Sequence, residues 1–445
     1  MQQKGLMIEG NIAKQLLLFS LPLLIGNLFQ QLYNTVDSIV VGNFIGDNAL
    51  AAVNSSGAII NLLVSFFMGL SLGASVVISH HYGAKRKDEV EKSIHTSMAF
   101  TLLSGVIATV IGVTITPLIL KWVNVDPEVM ADSILYLRIY FSGILALIIY
   151  NMGSGMLRAV GDSKSPLYFL IISSISNIIL DIVFVAYFHW GIAGVAMATV
   201  FAEIISAAAT LFVLIRTNQI YRLHIHKIRF HKDIFLRMVQ IGLPSAFQNA
   251  IVSLSNVIVQ ANINSFGKIA MAGAGSYTKI DGFAILPVMS FSMALTTFTG
   301  QNMGAKRYDR VQQGCKIGIL MSVAITAILS ILLLLFAPQI LSIFSANRAV
   351  IQVGTTMMHC VMPGYLLLAV SHCLAGTLRG AGLTKIPMLV MIFCWCICRI
   401  LWITTMVALF PDIRMVFLGW PITWILSAVI LFLYYKKANW IPNFK

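Results

Sequence analysis

The chain of 445 residues is 58% hydrophobic and only 10% charged, and it carries a formal net charge of +14. A soluble core cannot bury so large an apolar fraction, so the composition excludes an ordinary soluble globular protein and predicts a membrane protein. The positive charge could suggest nucleic-acid binding, but its distribution follows membrane topology, and we expect no nucleic-acid partner.

Apolar stretches of about 20 residues each predict twelve transmembrane helices. The polar segment 217–233 (TNQIYRLHIHKIRFHKD) separates two groups of six. We therefore predict an all-α membrane protein with two pseudo-symmetric six-helix lobes around a central cleft. The predicted domains are an N-lobe at 1–217, a cytoplasmic linker at 218–233 and a C-lobe at 234–445. The N-terminus enters the first predicted helix without an A-x-A-like cleavage site, so no cleavable signal peptide is expected.

Basic residues set the predicted orientation. With both termini in the cytoplasm, most of the 30 Lys and Arg residues lie on the inner side, as the positive-inside rule requires. The basic residues predicted on the outer side are Lys121, Arg138, Lys268, Arg348 and Arg414. This distribution predicts a multi-pass protein of the cell membrane, with lipid as a partner.

The first predicted helix carries polar residues on one face. Asn27, Gln30, Asn34 and Asp37 follow steps of three, four and three residues, which places them along one side of a helix. Polar side chains in lipid are costly unless they face a cavity or a partner. A single Asn could join packed helices, but a stripe that ends in a carboxylate favours a water-filled cleft.

Helices 4 to 6 add further oxygen donors. Asn177 and Asp181 lie one turn apart, as do Thr199 and Glu203, and Asn151 interrupts an apolar stretch. These residue types suit a hard cation, and two neighbouring carboxylates could instead hold a proton. A purely structural polar network is the alternative.

The second half carries a different set of polar residues. Helix 7 repeats the polar stripe without an acid, through Asn249, Ser253, Asn256 and Gln260. Its buried charges are Lys279, Asp281 and Arg399. We expect Asp281 to form an ion pair with one of the two bases, because an unpaired base at this depth is costly. The alternative is contact with substrate, where a base favours anionic or zwitterionic compounds.

The six cysteines all lie in the second half and mostly in apolar helices. Alternate helical residues diverge, so Cys394, Cys396 and Cys398 cannot converge on one metal, and the cysteines are predicted to be small buried hydrophobic residues. We predict no metal site beyond a possible sodium site.

Three segments of the first half return in the second. YGAKRKD (82–88) recurs as MGAKRYD (303–309), and LRAVGDSKSP (157–166) recurs as LRGAGLTKIP (378–387). These two pairs share one spacing, that from Tyr82 to Met303, which we call the repeat spacing. FSLPLLIGN (19–27) likewise has a counterpart in IGLPSAFQN (241–249). Internal duplication of a helix bundle is typical of transporters.

Over nearly its whole length the chain resembles the multidrug and toxic compound extrusion (MATE) family, in the superfamily that also holds lipid-linked oligosaccharide flippases. The resemblance rests on LPLLIGNLFQQLYNTVDSIVVG (21–42), the GAK loops (TFTGQNMGAKR, 297–307), and the LRA-x-GD and LRG-x-G loops. It implies a cation site in the first lobe. The matching positions are Asp37, Asn151, Asn177, Asp181 and Thr199. Pro22 matches a proline that bends helix 1 in some relatives, and the missing acid on helix 7 argues against a cation site in the second lobe.

The function predicted from the resemblance and the residues together is a secondary antiporter. It would export amphipathic, mostly cationic drugs or toxic compounds in exchange for Na⁺ or H⁺ by alternating access, as a monomer and without a cofactor. Candidate substrate contacts are Gln30, Tyr33, Asn34, Glu203, Asn256, Gln260, Asp281 and Met289. A lipid-linked precursor flippase and an exporter of an anionic or zwitterionic metabolite are the alternatives. We expect no enzymatic activity, because no paired His–Glu metal motif and no activated nucleophile occurs, and no Walker A sequence indicates ATP as the energy source.

Overall fold

The structure is a computed structural model that describes residues 6–123 and 125–441, without the side chains of residues 34, 36–40, 42–44, 47, 48, 50, 54 and 58. All regular elements in these residues are helices. The long helices are α1 (Ile12–Phe44), α2 (Asp47–Gly83), α3 (Lys87–Trp122), α4 (Pro127–Ala159), α5 (Lys164–Tyr187), α6 (Gly191–Arg216), α7 (Lys232–Asn264), α8 (Lys268–Gly304), α9 (Tyr308–Leu335), α10 (Arg348–Gly380), α11 (Lys385–Leu409) and α12 (Ile413–Lys437).

The predicted all-α membrane fold is confirmed. Eleven of these helices are long and apolar enough to cross a membrane. The exception is α7, which has 33 residues and sufficient length. Its apolar character is reduced by the polar residues between Gln240 and Asn262.

Several long helices contain local irregularities. α8 consists of Lys268–Ala284 and Leu286–Gly304, and α10 contains a 3₁₀ turn at Met362–Gly364. Pro287 and Pro363 lie at these two breaks, where a ring without an N–H interrupts the helical hydrogen bonds.

α5 and α11 each contain a π-helical segment. The segment in α5 is Ile182–Tyr187 and that in α11 is Ile392–Cys398, so it starts earlier in α11. A π turn accommodates an additional residue within a helix and thereby rotates the residues that follow it.

The sequence repeat is also a repeat of backbone conformation. α4 begins at Pro127 and α10 at Arg348, which are separated by the repeat spacing, and the side chain of the preceding residue caps each helix. Positive φ angles recur at the same spacing, in the pairs Gly46 (112°) and Gly267 (93°), Lys85 (56°) and Lys306 (57°), and Gly161 (88°) and Gly382 (87°). Such angles are uncommon for a lysine, so the GAK loops repeat an unusual turn.

The described helices divide into two compact units. Among the described residues, the first unit comprises Leu6 and Ile25–Leu243, and the second comprises Met7–Leu24 and 244–441. The chain therefore changes unit within α1 and within α7, close to Pro22 and Pro244. The first part of each of these helices therefore packs with the other half of the sequence, and the predicted lobe and linker boundaries remain predictions.

The first unit is held by close approaches between helices. An added Cβ on Gly153 of α4 would lie 2.2 Å from Cγ2 of Thr210, and one on Gly73 of α2 would lie 2.3 Å from the carbonyl oxygen of Met238. Small residues let membrane helices approach closely and pack by van der Waals contact. The apolar core of this unit contains Tyr82 and Met156 among its buried side chains.

The second unit buries the start of α1. Leu16 and Phe19 pack with Phe298 in one apolar cluster. Met7 donates its backbone N–H to Oε1 of Gln301 at 2.8 Å, and Arg310 donates to the carbonyl oxygen of Gly10 at 3.0 Å. These contacts explain why the first part of α1 belongs to the second unit.

Candidate cation site and buried charges

The candidate cation site lies on α4, α5 and α6, which pack together in the first unit. Ser173 of α5 donates to the carbonyl oxygen of Ala202 in α6 at 2.8 Å. Gly143 of α4 lies against Val200 of α6, so closely that a Cβ would lie 2.4 Å from Cγ1 of the valine. The three helices therefore form one scaffold for the polar side chains that they carry.

Asn177 and Asp181 are deeply buried polar residues of this scaffold, with exposed fractions of 1% and 0%. Neither the Oδ1 nor the Nδ2 atom of Asn177 has a hydrogen-bond partner among the described residues. An unpaired amide in a protein interior costs about 1–3 kcal/mol, so this side chain is available to a ligand. Asp181 adds a buried carboxylate one turn along the same helix.

Asn151 and Thr199 donate hydrogen bonds within their own helices. Asn151 donates through Nδ2 to the carbonyl oxygen of Leu147 at 3.0 Å, and Thr199 donates to the carbonyl oxygen of Val195 at 3.1 Å. Both side chains can offer their oxygen atoms as acceptors while they donate in this way. Oxygen ligands are those preferred by Na⁺-like hard cations.

Glu203 lies on α6 one turn beyond Thr199 and is half-buried. Ser206 approaches its carboxylate with an Oγ to Oε2 distance of 3.5 Å. Glu203 therefore adds an acid to the same helix as the candidate ligand Thr199.

The predicted polar residues of α1 are only partly described. The side chains of Asn34 and Asp37 lie outside the described residues, so their predicted roles remain predictions. Gln30 is exposed and Tyr33 is half-buried.

In the second unit, the predicted substrate contacts Asn256 and Gln260 of α7 and Met289 of α8 are exposed, whereas Asp281 is half-buried. Gln260 donates to Oδ1 of Asn264 at 2.9 Å, and Asn256 accepts a hydrogen bond from Arg399 at 3.4 Å. Met289 is 40% exposed. Their contact with substrate remains a prediction.

The predicted ion pair of Asp281 with Lys279 or Arg399 is wrong. Oδ1 of Asp281 accepts hydrogen bonds from Tyr277, at 2.7 Å, and from Tyr365. Lys279 is exposed. The ion pairs among the described residues join Lys92 with Glu89, Lys227 with Glu91, and Arg414 with Asp412. Two phenol hydroxyls therefore replace a base as partners of the carboxylate.

The two tyrosines are residues that the sequence analysis missed. Tyr277 precedes Asp281 by four residues, and this spacing on a helix could have indicated the contact. Tyr365 is 84 residues away in the chain, and no local pattern indicates its contact with Asp281.

The cysteine and acidic side chains form no further metal-binding cluster in the part of the chain that the structure describes. No group of three or more His, Cys, Asp or Glu side chains there could hold a metal ion. The six cysteines are free thiols, and four of them are buried.

A duplicated bundle of membrane-crossing helices is the architecture of many membrane transporters. The chain belongs to the MatE family, whose model matches it twice, at residues 22–183 and 244–404. It is a multi-pass membrane transporter of the multidrug efflux type and not an enzyme, and the predicted family is confirmed.

Several relatives match the chain over most of its length. The probable multidrug resistance protein YoeA of Bacillus subtilis is 29% identical, covering 96% of this chain and 94% of its own. The probable multidrug resistance protein NorM of Thermotoga maritima is 24% identical, covering 85% and 82%. The FAD transporter of Shewanella oneidensis is also 24% identical, covering 79% and 78%.

Solved structures show the same fold. An outward-facing MATE family transporter of the MOP superfamily superposes with a TM-score of 0.92 at 21% identity, covering 98% of this chain and 97% of the other. A MOP superfamily transporter from Pyrococcus furiosus, described as having a binding pocket of reversed polarity, gives the same TM-score, identity and coverage.

Proposed function

We propose that this transporter is an antiporter that exports amphipathic, mostly cationic compounds in exchange for Na⁺ or H⁺. The observation that carries the proposal is the buried pair of Asn177 and Asp181 on α5, in the scaffold that α5 forms with α4 and α6. Asp37, Asn151 and Thr199 complete the proposed ligand set. Buried carboxylate and amide oxygens on one helix suit a hard cation, and a buried carboxylate can instead hold a proton.

The proposed cycle follows from linked binding. The coupling ion and the exported compound bind different conformational states preferentially, so ion entry from outside promotes release of the compound there. Departure of the ion into the cytoplasm then resets the transporter. The proposal places both termini in the cytoplasm and the protein in the cell membrane, where the exposed apolar residues of the spanning helices contact lipid.

Transport by the purified protein in proteoliposomes tests this proposal. The substrate is ethidium, an amphipathic aromatic cation, and either an inward sodium gradient or an inward proton gradient is imposed. Export driven by one of the two gradients supports the proposal and identifies the ion. Equal ethidium movement with and without both gradients would contradict it.

An exporter of an anionic or zwitterionic metabolite is the second candidate function. Arg399 is buried, and none of the ion pairs among the described residues neutralises it. The relative described as an FAD transporter carries an anionic compound. Competition between ethidium and an anionic analogue for export distinguishes the two candidates.

A further inference from the structure

Arg399 is a buried guanidinium without an acidic partner in the described second unit. It is 2% exposed. Its Nε and one terminal nitrogen donate to Oγ1 of Thr423 at 3.4 and 3.2 Å, and the other terminal nitrogen donates to Oδ1 of Asn256 at 3.4 Å. These neutral acceptors lie at or beyond the usual limit of about 3.2 Å for an N–H···O bond.

The guanidinium keeps donors for a further ligand. Arginine has five N–H groups, and the three bonds above leave one on each terminal nitrogen without a partner among the described residues. Two such N–H groups match the two oxygens of a carboxylate or of a phosphate. Asn256 is exposed, so the terminal nitrogens lie one side chain below the surface of the unit.

Aromatic rings surround the same group. The Arg399 guanidinium carbon lies 5.9 Å from the ring centroid of Trp395 and 5.7 Å from that of Trp420. The rings stabilise the cation while leaving its charge uncompensated. An arginine kept at this depth by rings and neutral acceptors retains a strong attraction for an anion.

The internal repeat relates the surroundings of Arg399 in the second unit to the candidate cation site in the first unit. Ser71 donates to the carbonyl oxygen of Asn151 at 2.9 Å, and Ser292, which follows Ser71 at the repeat spacing, donates to that of His372 at 2.7 Å. The same hydrogen bond thus identifies His372 as the counterpart of Asn151. The shared spacing also makes Trp420 the counterpart of Thr199.

The counterpart of Asn177 is Arg399 itself. The repeat spacing leads from Asn177 to Cys398, but the π segment Ile392–Cys398 of α11 begins before this point and ends at it, whereas the π segment of α5 follows Asn177. The π turn shifts the correspondence by one residue, to Arg399. Burial agrees with this shift, because Asn177 and Asp181 are 1% and 0% exposed and Arg399 and Ile403 are 2% and 1% exposed.

The polarity of the site is therefore reversed between the two units. Amide and hydroxyl ligands for a cation in the first unit are replaced in the second by a guanidinium, an imidazole and an indole. His372 is 5% exposed, and neither of its ring nitrogens has a hydrogen-bond partner among the described residues. With the one-residue shift, Ile403 takes the place of Asp181, so the acid is lost as well.

We infer that Arg399 binds the carboxylate or phosphate group of the transported compound, at the second-unit counterpart of the cation site. The inference rests on the second candidate function, export of an anionic or zwitterionic compound, and deepens it by assigning recognition of the acidic group to Arg399. When no such group is bound, the Arg399 guanidinium donates a hydrogen bond to Asn256 instead.

Equilibrium binding to the purified full-length protein in detergent tests the inference. The probes are 1-naphthoate and its neutral amide analogue 1-naphthamide, compared by calorimetry in wild type, Arg399→Gln and Arg399→Lys. We expect wild type to prefer naphthoate and Arg399→Gln to lose about tenfold or more of its naphthoate affinity, as for loss of a charged hydrogen-bond pair. Naphthamide binding should not change. Arg399→Lys keeps the charge without the planar fork and should lie between the two.

Arg414→Gln is the matched control, because Arg414 lies in the same unit but is exposed, and this variant should bind both probes as wild type does. Equal affinity of wild type for both probes, or an equal loss of both in Arg399→Gln, would overturn the inference. Displacement of naphthoate by potassium phosphate or chloride at similar concentration would identify a free inorganic ion as the ligand and overturn the assignment to substrate. If Arg399→Gln does not fold, Arg399→Lys gives the same comparison. No gradient is applied, so failure of ion coupling leaves this result unaffected.

Discussion

Buried polar side chains of the described helices differ in how completely the protein pairs them. Asp281 is paired twice, by Tyr277 and Tyr365, whereas the amide of Asn177 has no described partner. Pairing within the protein points to stability, and lack of pairing points to a ligand. The two residues therefore give different predictions.

Replacement of Asp281 should reduce stability. Asp281→Ala leaves two buried phenol hydroxyls without their acceptor, and each such group costs about 1–3 kcal/mol. Asp281→Asn keeps a carbonyl acceptor and should cost less. Thermal unfolding of the purified variants measures this order, with the exposed Asp309→Ala of the same unit as control. Asp281→Ala unfolding at the wild-type temperature would contradict the assignment, and a second change at Lys279 should give no rescue.

Loss of Asn177 should remove ion binding. Asn177→Ala deletes a buried amide oxygen from the proposed ligand set, whereas Asn256→Ala alters a neutral residue of the second unit. Binding of isotope-labelled sodium to both variants, at a pH where wild type binds it, measures the difference. Loss in Asn177→Ala alone is expected. Loss of sodium binding in Asn256→Ala alone would place the ion in the second unit and contradict the proposed site.

Sequence reasoning reached these residues to different degrees. Asn177 and Asp181 were recognisable because polar residues one turn apart stand out in an apolar helix. The partner of Asp281 was predicted incorrectly, because charge balance along the sequence cannot reveal a tyrosine hydroxyl brought in by a distant helix. Arg399 was recognised as a buried charge, but its tryptophan neighbours and its relation to Asn177 required the helix packing.

At the scale of helices, the approach of α2 to α7 within the first unit has no room for a side chain. A Cβ on Gly73 would lie 2.3 Å from the carbonyl oxygen of Met238 and 2.6 Å from the backbone nitrogen of Gly242. Gly73→Ala must push two backbones apart, and overpacking typically costs about 1–3 kcal/mol. A lower unfolding temperature is expected. Gly57→Ala on the same helix is the control, because nothing lies within 4 Å of its added Cβ. Equal stability of the two variants would refute this packing.

The segment between α6 and α7 is docked onto α3 through histidines. The backbone N–H of His224 donates to Nε2 of His95 at 3.0 Å, and Nδ1 of His231 lies 3.0 Å from Oγ1 of Thr96. Arg229 donates to Nε2 of His231 at 3.2 Å. Nε2 of His231 accepts this hydrogen bond, so the His231 ring is neutral in the docked arrangement.

Acidification should therefore release this segment. Burial is the main cause that lowers the pKa of His231 below its usual value of 6.5, and the charge of Arg229 is the second cause. Other charged or titratable groups around it are Lys92, His95 and Glu89. Because the pKa is lower in the docked form, the undocked form binds more protons. Docking is fully stable above pH 6.5 and weakens as the pH falls below it.

Hydrogen exchange of residues 217–231, corrected for the intrinsic pH dependence of exchange, measures the release. Faster exchange below pH 6.5 than above it is expected in wild type. His231→Gln cannot be protonated, so its exchange should depend less on pH. An unchanged exchange rate in wild type would contradict histidine-controlled docking.

The helices themselves were largely predictable from the sequence, because long apolar stretches are the strongest sequence signal. The π segments and the breaks near Pro287 and Pro363 were not predicted, although the prolines are visible. The π segments depend on packing that no periodicity reports. The earlier π segment of α11 shifts the correspondence between α5 and α11, so Arg399 takes the position that Asn177 has in the first unit.

At the scale of the molecule, duplication supplies two similar scaffolds that differ in their chemistry. The repeat spacing was readable from short motifs, and the paired positive φ angles show that the backbone repeats with it. The change of unit near Pro22 and Pro244 was not predicted, because hydropathy locates a helix but not the unit with which each part of it packs.

The central claim is that a cation bound by the first unit drives export, and its most direct test is coupled transport by acid variants. Asp37→Asn and Asp181→Asn keep the shape of the side chain but remove its charge. Efflux of ethidium from proteoliposomes is measured under the gradient that drives wild type, with the exposed Asp412→Asn as control. We expect gradient-driven efflux to be lost in Asp37→Asn and in Asp181→Asn and kept in the control. Unimpaired coupled efflux in both variants would contradict the claim.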